Sequence, residues 1–194
     1  MFSKLKLSVG LSKLRKLERS MVRRKMVHNL ESARSVGIVC YATSNDDLDS
    51  AIKFAHFLNE KQILTSITVF CPLKEVPQNF LLRKNVKVFT KKELNWYFRP
   101  KEPAIEQFIN NDFDILIDLS LNEIFPLRWI STLSKAKFKV GSLGYYGNPN
   151  DLTISLKNEK NEEYLISQIK HYLNLINNRF AQEQDWKKEQ AQQD

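Results

Sequence analysis

The residues in this chain that could do chemistry are few, and the best placed are Asp118 and Ser120, at the exit of Phe113–Ser120, Phe-Asp-Ile-Leu-Ile-Asp-Leu-Ser. An almost continuous apolar run of strand length suits the middle of a parallel sheet covered on both faces. Ligands of open α/β sheets sit outside the carboxyl ends of such strands, so an acid and a hydroxyl there form a candidate ligand-binding pair. Asp118 could serve as a base or hold a ligand, or it could cap the following loop by accepting from backbone N–H groups. Gly141, Gly144 and Gly147 add a G-x-x-G-x-x-G loop that could approach the same edge. Its Asn-Pro-Asn-Asp exit favours turn chemistry over ligand binding.

Other familiar constellations are missing from the sequence. The first strand-to-helix turn, Thr43–Asp47, holds no glycine, and Asp46, Asp47 and Asp49 stand where a phosphate would approach. Carboxylates at a helix N-terminus complement its dipole themselves and repel phosphate, so a dinucleotide is not expected there. His28, His56 and His171 are scattered without helix-spaced partners, so no metal site and no cofactor are expected. Cys40 and Cys71 each lie inside a strand pattern and read as buried free thiols. With no nucleophile–base pair to name, a binding role is expected ahead of an enzymatic one.

The second chemical signal is charge. Residues 1–34 hold ten Lys or Arg and two acids, a net of +8, which equals the net charge of the whole chain. Lys13, Arg15, Lys16, Arg19, Arg23, Arg24 and Lys25 are the densest part, and Leu7, Leu11, Leu14, Leu17 and Met21 give the segment an amphipathic helical pattern. Such a face neutralises phosphates with little sequence preference. Lys91–Lys101 repeats the theme by interleaving Trp96, Tyr97 and Phe98 with Lys91, Lys92 and Arg99, a combination that stacks bases in single strands; the same segment could instead be a lid packed on the sheet edge. RNA, including the ribosome, is the expected partner; a small molecule at the sheet edge and an anionic membrane surface are alternatives. The start lacks the apolar core and cleavage site of a secretory signal, and a cytoplasmic location is expected.

These groups need a scaffold, and strand and helix patterns alternate through the body. Strands are expected at Ser35–Ala42, Ser66–Cys71, Val86–Thr90, Phe113–Ser120, Phe138–Gly141 and Leu152–Leu156. Helices follow Ser44, Pro103, Pro126 and Asn161; Ser44 with Asp47 matches a capping box. The alternation predicts a three-layer Rossmann-like α/β fold: a mostly parallel sheet of five or six strands with helices on both faces. The expected organisation is a basic helical arm at 1–34, the α/β domain at 35–178 and a polar tail at 179–194.

FDILIDLS, LSKAKFKVG at 133–141, ELNW at 93–96 and the start of the first strand together resemble an uncharacterised bacterial family of unknown function. That resemblance implies a basic N-terminal helix followed by an α/β domain, and no activity. More distantly, FDILIDLS with the following helix and AKFKVG is similar to the N-terminal half of heptosyltransferase-type glycosyltransferases. That likeness implies a nucleotide or nucleotide-sugar ligand. The chain departs from it in lacking Gly beside Asp in the first turn and in having no room for the second domain that binds the donor.

Overall fold

The computed structural model describes residues 2–83, 85–142, 145, 147–156 and 161–176. Gly144 and the polar tail expected at 179–194 lie outside the described residues. Six strands, β1 (Ser35–Tyr41), β2 (Leu64–Phe70), β3 (Val86–Phe89), β4 (Ile115–Asp118), β5 (Phe138–Ser142) and β6 (Leu152–Ile154), form one sheet in the order β3-β2-β1-β4-β5-β6. Every neighbouring pair is parallel. This is the Rossmann-like strand order, and it reverses between β1 and β4.

The helices are α1 (Phe2–Ser20), α2 (Asn45–Glu60), α3 (Gln78–Leu81), α4 (Pro103–Asn110), α5 (Phe125–Leu133) and α6 (Glu162–Leu175). The period-2 alternation of each strand divides the core. Val36, Ile38 and Cys40 of β1 join Ile115 and Ile117 of β4 in the core that holds Leu48, Phe54 and Leu58 of α2 and Leu165 and Ile169 of α6. Val39 and Leu116 face the other way, onto Ile105 and Phe108 of α4 and Leu127 and Ile130 of α5. Both cysteines are free and buried.

The local signals explain the boundaries. Ser44 Oγ accepts from Asp47 N, and the Asp47 carboxylate accepts in return from Ser44 N, closing the capping box at α2. Pro103 and Pro126 stand in the first turns of α4 and α5. Asn161 caps α6 by accepting from Tyr164 N. A single turn of helix, α3, interrupts what the sequence shows only as an irregular connection.

The basic arm is helical only as far as Ser20. Residues 21–34 form no regular helix and run across the N-terminal edge of the sheet, where Met26 N donates to Lys137 O at 3.1 Å. Leu14 (2% exposed) of α1 packs with Phe125 and Trp129 of α5, so α1 forms an outer layer on that helix. Gly10 permits the approach: a Cβ there would lie 2.7 Å from the Phe125 ring and from Tyr97 O. Among the described residues no helix is long and apolar enough to cross a membrane.

Candidate functional site

Three places hold the residues singled out above: the end of β4, the switch point beside it, and the surface formed by α1 and the 91–101 loop.

Asp118 ends β4 on the face that alternation turns toward α5. It is 5% exposed and accepts from Ser120 N at 2.9 Å and from Ser131 Oγ of α5 at 2.8 Å. Burial raises its pKa, while the hydrogen bonds from Ser120 and Ser131 oppose that rise. In this geometry Asp118 closes the loop after β4 and ties it to α5. Gly141, its partner across β5, is equally enclosed: a Cβ there would lie 2.6 Å from Asn150 Nδ2 and 3.0 Å from Asp118 O. Its missing side chain makes room for Asn150, a packing role.

Ser120, two residues on, belongs to an open feature. A cleft of about 590 Å³ lies where the strand order reverses, lined by Tyr41 and Thr43 after β1, Asp47 of α2, Leu119–Asn122 and Ile124 after β4, and Asn161 and Glu162 at the start of α6. The N-termini of α2 and α6 both meet this cleft, and each brings its own carboxylate. Asp47 accepts from Thr43 N at 2.8 Å, Thr43 Oγ1 at 3.0 Å and Ser44 N at 3.0 Å. Although burial raises its pKa, these bonds hold it below the ordinary carboxylate value. Burial pushes Glu162 up to about 8, and the like charges of Asp47 and Glu163 add to the shift. Glu162 was legible in the sequence only as a dipole-complementing residue after a cap; its neighbourhood with Asp47 needs the tertiary fold. A nucleotide phosphate would meet the Asp47 carboxylate and a second acid, Glu162, here.

The basic arm and the aromatic loop come together. Lys13 Nζ lies 5.4 Å from the centre of the Tyr97 ring, and Tyr97 packs between Trp96 and Trp129. The loop is a tight one: Asn95 Oδ1 accepts from Tyr97 N and Arg99 N, and Phe98 takes φ +68, unusual for a bulky side chain. A second cleft of about 340 Å³ opens beside it, mostly apolar, lined by Phe70, Leu94, Asn95, Trp96, Phe98 and Pro126 with Lys6 and Lys91 at its rim. Trp96 is 59% exposed.

The cations of the arm divide into two groups. Lys13, Arg15, Lys16, Arg19, Arg24, Lys91 and Lys92 are exposed, and Arg15, Lys16 and Arg19 line an open groove along α1. Arg23 is not part of this surface. Its side chain is 6% exposed and grips Asp151 through two bonds of 2.6 and 2.8 Å, with a third to Ala136 O. Lys25, itself exposed, reaches the same Asp151 at 3.2 Å. Arg99 pairs with Glu106 at 2.7 Å and lies over Trp129. Arg23 and Arg99 are thus held by protein partners, a distinction that charge counting does not make.

The model of a family of unknown function (DUF6913) matches residues 6–176. The chain belongs to that family. The match takes in α1 from Lys6 onward, the sheet and α6, so the DUF6913 unit includes most of the basic helix as well as the α/β body. No curated protein matches the sequence. Among solved structures, the chain is similar to the crystal structure of an exopolyphosphatase-related protein from Bacteroides fragilis, with 14% identity and a TM-score of 0.47. That match covers 86% of this chain and 44% of the other, so the chain spans less than half the length of that protein.

Proposed function

We propose that this DUF6913 protein is an RNA-binding protein that acts by binding, with the ribosome as the place where such a surface would be used. The observation that carries the reading is that the exposed Trp96 lines one cleft with Lys6 of α1 and Lys91, while Lys13 of the same helix lies over the neighbouring Tyr97. The cations supply affinity through counterion release, and Trp96 offers a ring on which an unpaired base can stack. The cost of holding like charges together on a helix that covers Phe125 and Trp129 supports a role for those charges beyond packing.

Truncating the arm would strip the cover from Trp129, so charge reversal in the full chain is the cleaner test. The salt dependence of affinity for a single-stranded RNA of about 20 nucleotides should weaken by about 3 in log–log slope when Lys13, Arg15, Lys16 and Arg19 are all changed to Glu, at about 0.7 for each phosphate that is no longer neutralised. Trp96→Ala should cost about 1–3 kcal/mol on the same RNA and less on a duplex. Unchanged slopes in the reversed protein, or a preference for anionic vesicles over RNA in flotation, would overturn the reading.

A further inference from the structure

The switch-point cleft is unused by the RNA surface, and its chemistry is opposite in sign. Asp47 and Glu162 face it from two different helices. The Asp47 carboxylate is fixed by three donors on its own turn, whereas Glu162 Oε1 is buried and has no hydrogen-bond partner. Ser120, 8% exposed, also lines the cleft. Its backbone groups are used, N toward Asp118 and O by Ser142 Oγ, while its hydroxyl, beside Asp118, makes no full hydrogen bond. Leu119, Leu121 and Ile124 supply an apolar wall, and Tyr41, 36% exposed, supplies an aromatic ring on the rim. A buried acceptor left unpaired is costly, and such groups are normally satisfied by a partner that the protein alone does not supply.

We propose that this cleft binds a small aliphatic amine, its ammonium seated between Glu162 and Asp47 against the Tyr41 ring and its hydrocarbon chain along Leu119, Leu121 and Ile124. An ammonium offers three donors and no acceptor, which matches two carboxylates and an open hydroxyl. A ring beside carboxylates adds cation–π attraction. The apolar wall selects an alkyl chain over a sugar. Phosphorylated and carboxylate ligands are repelled by the Asp47 carboxylate, and by Glu162 as well once it is ionised.

Proton linkage follows. The charged groups that act on Glu162 are Asp47 on α2 and Glu163 on α6; Cys40 on β1 feels Glu162, and Tyr41 on β1 lines the same cleft, so all are neutral or acidic. Below about pH 8 Glu162 is mostly protonated, so seating an ammonium there releases one proton. Affinity should therefore rise about tenfold per pH unit between pH 6 and pH 8 and level off above, while the amine itself stays charged.

Isothermal titration of the full chain with 1,4-diaminobutane and with n-hexylamine, and with AMP as an anionic control, tests this. Expected are one saturable amine site, no AMP binding at this cleft, and release of about one proton at pH 6.5, read from buffers of different ionisation enthalpy. Glu162→Gln should weaken the amine at least tenfold at pH 8 and abolish the proton release. Tyr41→Ala, at a partly exposed position where folding is not at stake, should weaken it several-fold. The proposal is overturned by absence of amine binding at 10 mM, by equal binding in the wild type and both variants, or by AMP competing with the amine.

Discussion

Asp114 and Asp118 bracket one strand, β4, and both are buried, at 7% and 5% exposed, yet the fold treats them in opposite ways. Asp114, at the N-terminal edge of the sheet, accepts from Arg34 N at 2.7 Å, Ser35 N at 3.1 Å and Lys137 Nζ at 2.8 Å, with His28 Nε2 at 3.7 Å. Burial raises its pKa, but the Lys137 bond, the Arg34 N–H and the nearby His28 bring the net below the usual carboxylate value. Asp118 has two donors, neither of them charged, and its pKa moves upward. The N-terminal edge is closed by the 21–34 strap, whose Arg23 is itself bound to Asp151. The C-terminal edge is open, with a cleft beside it and an unpaired oxygen on Glu162. One end of the sheet ties its buried acid into charged partners; the other borders an open cleft, the place where ligands of open α/β sheets generally sit.

The contrast can be broken most directly at Asp114. Asp114→Asn removes one partner of a buried ion pair and should cost about 3–5 kcal/mol in chemical denaturation. Because the folded pKa is depressed, the wild-type advantage should be present above about pH 4 and be lost as pH falls through the folded value, so the two proteins should converge in acid. A loss below about 1 kcal/mol would mean that the N-terminal edge is not held by this network.

A smaller effect of opposite sign is expected at Lys139. This lysine is 2% exposed on β5, its Nζ donating to Thr132 O at 2.8 Å. Burial, with Arg23 nearby adding like charge, lowers its pKa to about 7. Its unfolded pKa is the higher one, so the folded state carries the full cost of a buried ammonium below pH 7, and that cost fades between about pH 7 and pH 10.5. Lys139→Met should therefore stabilise the protein by about 1–3 kcal/mol at pH 6 and by progressively less toward pH 10. A stability gain that is independent of pH would show that packing, and not charge burial, sets the effect.

The smallest change is expected at the other end of β4. Asp118→Asn keeps an acceptor for Ser120 N or Ser131 Oγ and removes a charge that burial disfavours, so stability should shift by about 1 kcal/mol or less. Since the folded pKa is raised, the wild type loses stability as pH rises just above the ordinary carboxylate value, and the variant should not. Equal losses for Asp114→Asn and Asp118→Asn would erase the distinction between the two edges.

Much of the scaffold was legible in the residue order because its signals are local. Ser44 and Asp47, Pro103, Pro126 and Asn161 mark helix starts through bonds to groups a few positions away. Apolar runs of strand length, separated by helical patterns, leave a covered parallel sheet as the arrangement that buries them. The candidate site was only half legible. Ser120 lines the cleft as its place after β4 suggests, but Asp118 lies on the face that the strand turns toward α5, and Gly141 serves Asn150. Along the arm, charge alone could not separate Arg23, claimed by Asp151 from 128 residues away, from Arg24, which is exposed.

The amino-acid sequence by itself determined the α/β class, the caps and the concentration of positive charge in the first 34 residues, since each depends on neighbours within about one or two helical turns. The tertiary structure decided which acids are tied to partners and which line an open cleft. Strand order brings the N-termini of α2 and α6, more than 100 residues apart in the chain, to one cleft, and no local pattern encodes that meeting. It also decided that Trp96 stands beside Lys6 and Lys91, because Gly10 lets α1 settle onto α5 and the 91–101 loop. Long-range packing makes those choices, through which face of a strand a side chain occupies and which helix covers it.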